Sequence, residues 1–354
     1  MSNFNTELEK WFENFAHEHQ KCFPSKEDFV AKYKVLKDSL NREVYPHINA
    51  ALAQEGGLIF TDHGPDHFES VINAAGDLLN VDDKRSELNL NAYEVYILLV
   101  TILLHDAGNI IDRETHTAVI REIFVYYMDK TATDILEVNS IADIARAHGG
   151  KSQKNGSLDT IRDLSPEHVE RRAKFRPQLI AALLRFADEI CEDSSRACSF
   201  YEKIDSKRQL PEGCQIFHKY ASSIKSSLYD FETKFIHLKF CIFKKDLFNE
   251  YGKMGPDKSI EKIYLLDEIY LRINKMYKEW LYCNDFFDKV IEVKGIKVTI
   301  HILTDDTGRE LKKIEFDTEQ FKGYPTKYCL DICEKFPEYS CLKLQEELNT
   351  LNYK

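Results

Sequence analysis

Apolar residues recur at helical spacing through the first two hundred positions of the chain, and at alternate positions in parts of its remainder. In "TELEKWFENFAHEHQKCF", Leu8, Trp11, Phe12 and Phe15 share one helix face. "KEDFVAKYKVLKDSLNREVYPHINAALAQ" predicts a second long helix, interrupted near Pro46. "GPDHFESVINAAGDLLN" opens with Gly64-Pro65, a favourable first turn, and carries Phe68, Val71, Ile72, Ala75, Leu78 and Leu79. "NLNAYEVYILLVTILLHDAG" is apolar almost all round, which predicts a buried central helix that Gly108 is placed to end. Further helices are predicted at about 114–128, 134–147, 166–173 and 177–192.

The texture changes after about residue 205. "FIHLKFCIF" puts Ile236, Leu238, Phe240 and Ile242 on one face, and "GIKVTIHIL" does the same with Ile296, Val298, Ile300 and Ile302. Such period-two stretches predict half-buried strands. A long helix is expected between them, at about 258–290, and a last one over roughly 326–350. The fold class is therefore mainly α. A helical domain is expected over 1–205, with its core at about 50–200, and a smaller α+β appendage over 206–354. The appendage is expected to serve as a lid, a substrate-selecting element or an assembly surface.

At 354 residues and 43% hydrophobic content, the chain suffices for one large core or two ordinary domains. Its 48 basic and 59 acidic residues give a net charge of −11, which works against non-specific binding to nucleic acid or anionic membrane. The N-terminal stretch "MSNFNTELEKWFENF" has no apolar core of a signal peptide. The apolar run at 95–104 falls far short of a membrane span. Nine scattered cysteines, with Cys329, Cys333 and Cys341 in no zinc-binding pattern, read as reduced thiols. A cytoplasmic location without membrane attachment is expected.

The candidate chemistry starts at "ILLVTILLHDAGNI", where a dry helix delivers His105 and Asp106. Burying such groups without partners costs several kcal/mol. A divalent metal ion would be a fitting partner, since imidazole nitrogen and carboxylate oxygen both ligate first-row metals. Adjacent helical residues point about 100° apart, so both reach one ion only at a helix end. Other candidate ligands stand at the ends of neighbouring predicted helices. They are His67 with His63 just before it, His116, His148 in "ARAHGGK", and Asp188 in "LRFADE". A single such residue is more often an ordinary core or surface group. His218, His237 and His301 are read that way.

The ordered set, His67 in "HFESV", His105 and Asp106 in "LLHDAGN", and Asp188 in "LRFADE", resembles the HD-domain superfamily of metal-dependent phosphohydrolases. Within it, the chain looks most like larger members with C-terminal extensions. The resemblance covers roughly residues 50–200 and implies an HD-type helical bundle. It also implies a metal held by His67, His105, Asp106 and Asp188. His116 and His148 lie where many members place further histidines, which serve a second metal or act in catalysis. Asn109 stands where the cyclic-dinucleotide branch carries lysine, which argues against that branch.

The implied activity is hydrolysis of a phosphate ester or anhydride by metal-activated water. One or two divalent ions per chain are expected, with Mn, Mg, Fe, Co, Ni and Zn all open. His116, His148, Glu69 and Asp66 are candidates for proton transfer. Lys151, beside the Gly149-Gly150 pair, and Arg113, Arg185 and Arg196 are candidates for binding phosphate. The expected substrate is a small phosphorylated compound, a nucleotide before a single-stranded nucleic acid. A strand would want a basic, aromatic-lined groove, and acidic residues run through "KIYLLDEIYLRINKMYKEWLYC". A third reading is a catalytically silent regulatory module. A homo-oligomer or a protein partner engaged through the appendage is also expected.

Overall fold

The computed structural model describes residues 4–48, 64–82, 88–113, 115–152, 154–192, 210–255, 257–319 and 332–350. The chain divides into two compact units. The first holds the described residues up to 55, those of His63–Cys191, and Tyr282–Glu292. The second holds those of Glu192–Leu281 and Val293–Lys354. The expected junction at 205–206 lies outside the described residues.

The first unit is helical. α1 (Glu7–Glu18) begins in a capping box, where Thr6 accepts from the Glu9 amide and Glu9 answers the Thr6 amide. α2 (Phe29–Glu43) is capped by Asp28, and α3 (Pro65–Leu79) starts from Gly64 with Pro65 in its first turn. α4 (Ala92–Leu104) is buried along its whole length, as its apolar sequence requires. α1, α2, α3, α6 (Ile135–Arg146) and α7 (Pro177–Ile190) all pack against it. Each large aliphatic side chain so buried contributes roughly 1.5–3 kcal/mol. This rigid centre fixes where α4 ends, and so where His105 and Asp106 emerge.

Two predictions for this unit need correction. The helix expected at 114–128 starts later: a 3-10 turn spans His116–Ala118, and α5 runs Ile120–Thr131. The helix expected at 166–173 is a small antiparallel hairpin, β1 (His168–Glu170) with β2 (Ala173–Phe175). Arg171 at its turn takes a left-handed φ of 53°. Arg171-Arg172 carries none of the Gly, Asn or Asp signals that mark such turns.

In the second unit, α8 (Gln215–Ser223) leads into a four-stranded sheet of order β3-β4-β7-β8. The strands are β3 (Ile224–Asp230), β4 (Phe235–Phe243), β7 (Gly295–Leu303) and β8 (Glu310–Glu319). Ile236, Leu238, Phe240 and Ile242 pair across the sheet with Ile296, Val298, Ile300 and Ile302, forming the predicted buried face. β4 and β7 are parallel, so the chain must cross over between them. The crossover contains α9 (Lys244–Phe248), a hairpin of β5 (Glu250–Met254) with β6 (Ile260–Tyr264), and α10 (Leu265–Asn284). The helix predicted over 258–290 is therefore shorter, its first residues being taken by β6. The last predicted helix is also broken. α11 (Ile332–Lys335) and α12 (Cys341–Thr350) flank a 3-10 turn at Pro337–Tyr339, because proline cannot continue a helix. Residues 326–331 lie outside the described residues.

Tyr282–Glu292, from the end of α10 onward, packs as part of the first unit. The Tyr282 hydroxyl donates to Asp159 at 2.8 Å and accepts from the Ile161 amide at 3.0 Å. Phe287 lies against Phe186 of α7. Among the described residues, no helix is long and apolar enough to cross a membrane.

Candidate metal centre

Helix ends of the first unit gather six side chains. His67 sits in the first turn of α3, and His105 caps the C-terminus of α4. Asp106 follows with a non-helical backbone (φ −107°, ψ 2°), which turns it away from the direction a continued helix would impose. His116 opens its 3-10 turn, His148 lies just beyond α6, and Asp188 occupies the last turn of α7. Four of these, His67, His105, Asp106 and Asp188, are the candidate ligands that the resemblance implied, and His116 and His148 are the further histidines it placed nearby; the fold brings all six side chains together.

They form two adjoining groups, His67 with His105 and Asp188, and Asp106 with His116 and His148. Asp106 stands between the two. Its Oδ2 lies 3.7 Å from His67 Nε2 and 3.8 Å from His105 Nε2. Its Oδ1 lies 3.4 Å from His116 Nε2 and 3.8 Å from His148 Nε2. Asp188 Oδ1 closes the first group, at 3.4 Å from His67 Nε2 and 3.7 Å from His105 Nε2. His67 and His105 are fully buried, whereas the Asp188 side chain is 32% exposed and marks the open side.

Backbone carbonyls fix three of the rings. Nδ1 of His105, His116 and His148 lies 2.8, 2.7 and 2.6 Å from the carbonyl oxygens of Ile102, Arg113 and Ala145, each three residues earlier. A carbonyl only accepts, so each Nδ1 carries hydrogen and each neutral ring presents a lone pair at Nε2. A second partner that sets the tautomer in this way is characteristic of metal-binding histidine.

The unmet demands of the cluster fit a cation. His105 Nε2 is buried and has no hydrogen-bond partner among the described residues. His116 Nε2 and His148 Nε2 face each other at 3.3 Å, so in the neutral rings two lone pairs point together. Burial alone would lower His105, but Asp106 and Asp188 outweigh it and raise its pKa to about 9. Burial, reinforced by the His105 charge, lowers His148 to about 4. Burial opposes ionisation of Asp188, yet His105 and His67 hold its carboxyl well below the usual range. In the metal-free protein a proton on His105 thus takes the place of a cation. A mixed set of imidazole nitrogens and carboxylate oxygens suits divalent first-row metals.

Gly108, read from sequence as a helix stop, has a different role. α4 ends earlier, at Leu104, and a Cβ on Gly108 would come within 2.1 Å of the His116 carbonyl oxygen. Its missing side chain lets the His105-Asp106 turn and the His116 turn touch, which brings the two ligand groups together.

The other candidates are less central. Asp66 is exposed beside His67 in the first turn of α3. Glu69 accepts from Asn5 at 2.8 Å and lies 3.7 Å from Lys37. Lys151 is exposed after the Gly149-Gly150 turn, where Gly150 has a φ of 71°. Arg113 is exposed, and its carbonyl holds His116. Arg185 stacks over the Tyr282 ring at 4.7 Å and donates to Thr160 at 3.1 Å, which ties its guanidinium to the Asp159–Ile161 segment. His63 and Arg196 lie outside the described residues. The sequence reading passed over Cys191, whose sulfur lies 3.9 Å from His67 Nδ1. Its spacing of three from Asp188 was the available signal.

The HD-CE family model matches residues 58–275, more than half of the chain and further than the 50–200 span of the sequence resemblance. No curated protein and no solved structure matches it. With the His/Asp cluster at its helix ends and the match running through it, the chain belongs to the HD-CE family and carries an HD-type domain.

Proposed function

We propose that this protein is a metal-dependent phosphohydrolase that cleaves a phosphate ester or anhydride of a nucleotide. The observation that carries the reading is Asp106, whose two oxygens face two separate ligand groups. His67, His105, Asp188 and Asp106 Oδ2 would hold one ion, and His116, His148 and Asp106 Oδ1 a second. Bound there, divalent ions would lower the pKa of water and offset charge building on phosphate oxygens.

The chain's own groups supply the rest. The carbonyls of Ile102, Arg113 and Ala145 keep three Nε2 atoms aimed inward. The apolar wall of α4 excludes water from one side, and the partly exposed Asp188 edge admits substrate from the other. Lys151 and Arg113 are exposed cations on the segments that present His148 and His116, suited to steadying phosphate oxygens. Asp66, exposed beside His67, is suited to passing a proton to the leaving group. An acidic chain favours a small nucleotide over a nucleic acid strand. The second unit is assigned to substrate selection or assembly.

The test compares wild type with Asp106→Ala. Metal per chain is counted, and phosphate release is measured from nucleoside mono-, di- and triphosphates, cyclic nucleotides and single-stranded DNA with Mn²⁺, Mg²⁺, Co²⁺ or Ni²⁺. Nucleotide turnover lost in the variant supports the proposal. Turnover of DNA alone would replace the substrate, and metal-free, inactive wild type would favour a silent module.

A further inference from the structure

We propose that the Cys191 thiol is a positioning residue for the metal centre, holding the His67 ring so that Nε2 faces Asp106 and Asp188. The inference rests on the reading of His67 as a ligand. Three of the four histidines are fixed by the carbonyl three residues before them. His67 lies in a first helical turn, where its backbone amide donates to the Gly64 carbonyl at 3.1 Å. The residue just past α7 stands beside the ring, with Cys191 Sγ 3.9 Å from His67 Nδ1.

The polarity of this contact is set on its other side. The Cys191 thiol donates to the Asp188 carbonyl at 3.0 Å, which leaves sulfur lone pairs to accept from the ring. His67 Nδ1 therefore carries hydrogen, like its three counterparts, and Nε2 is left as a lone pair. An N–H···S bond of this length is weak, but both partners are buried, His67 at 2% and Cys191 at 7% exposure, where water competes little. The thiol also joins two members of one ligand group, the His67 side chain and the Asp188 backbone. A small group able both to donate and to accept meets that need without adding a charge.

The experiment uses the full chain as wild type, Cys191→Val, Cys191→Ser and Cys191→Ala. Mn²⁺ and Zn²⁺ binding are measured by titration calorimetry, and ¹⁵N-histidine spectra of the metal-free protein report the His67 tautomer, assigned with His67→Ala. Removing an outer partner of a metal ligand typically weakens binding about 10–100-fold. That loss is expected for one of two ions in Cys191→Val, with a mixed His67 tautomer, and Cys191→Ser should recover most of both. If Cys191→Val misfolds, Cys191→Ala, which adds no bulk, gives the same reading. Wild-type affinity together with an unchanged tautomer in the valine or alanine variant would overturn the proposal. If wild type itself binds no metal, the ligand reading fails, and the tautomer alone decides whether Cys191 holds the ring.

Discussion

Both ends of α4 carry buried charge, and the two ends treat it in opposite ways. At the N-terminal end, Glu94 is 2% exposed and saturated with donors. Its carboxylate accepts from Arg176 Nε at 2.8 Å, Arg176 Nη2 at 2.9 Å, the Arg176 amide at 3.1 Å and the Asn91 amide at 3.0 Å. At the C-terminal end, imidazole lone pairs and carboxylate oxygens face each other at 3.3–3.8 Å, and His105 Nε2 has no hydrogen-bond partner among the described residues. The first cluster is closed by the chain itself. The second leaves His105 Nε2 unmet among the described residues, a demand that a proton or a metal would meet. Buried charge thus marks a ligand site where its hydrogen-bond demand stays unmet, and a structural brace where that demand is met.

The largest expected effect breaks the open end. Asp106→Ala removes the one side chain shared by both groups, so activity should fall on the order of 10⁴-fold. Bound metal should fall with it, while circular dichroism stays that of wild type. Metal analysis beside a phosphate-release assay checks this, and an active, metal-loaded variant would remove Asp106 from the centre.

At the closed end the same kind of change should strike stability. Arg176→Ala leaves Glu94 buried and uncompensated, at a cost of about 3–5 kcal/mol. Urea unfolding should show the loss, whereas metal per folded chain should be unchanged. If Arg176→Ala sheds metal instead, the two ends are not separable in the way proposed.

Gly108→Ala tests how the two ligand groups are brought together. The new Cβ would force the His116 turn away, and a displacement of about 1 Å can cost roughly 10²-fold in rate. The rate should fall while the metal of the His67 group is retained. Loss of both metals together would mean that the two groups do not act separately.

The open end was legible in sequence because its signal is local. A run of apolar residues that stops at His105-Asp106 needs no tertiary knowledge, and His67, His148 and Asp188 stand at ends of helices that periodicity finds. The closed end was not legible, because Glu94 and Arg176 are far apart in sequence and look like two surface charges. Topology hid other features for the same reason. Arg171-Arg172 turns a hairpin without turn residues, and "IEKIY" becomes strand because Glu250–Met254 pairs with it. Pro337, by contrast, is a local signal for the break in the last helix.

A third buried carboxylate sharpens the comparison, because it is neither closed nor part of the metal centre. Glu137 is 2% exposed, with Oε2 3.4 Å from Lys32 and Oε1 lacking a hydrogen-bond partner among the described residues. Lys32 itself lies closer to Glu27, at 2.5 Å. Burial dominates and raises Glu137 to about 7, with nearby Glu170 and Asp134 adding to the rise and Lys32 opposing it. A carboxyl raised on folding contributes its stability below its unfolded pKa and loses it as pH rises through the folded value. Glu137 should therefore weaken the fold between about pH 5 and 8. Glu137→Gln keeps the shape and removes the charge, so it should raise stability by about 1–2 kcal/mol at pH 8. At pH 5, where Glu137 is already neutral, the variant should match wild type. Melting curves at the two pH values check the sign, and a variant less stable at pH 8 would make Glu137–Lys32 a closed pair like Glu94–Arg176.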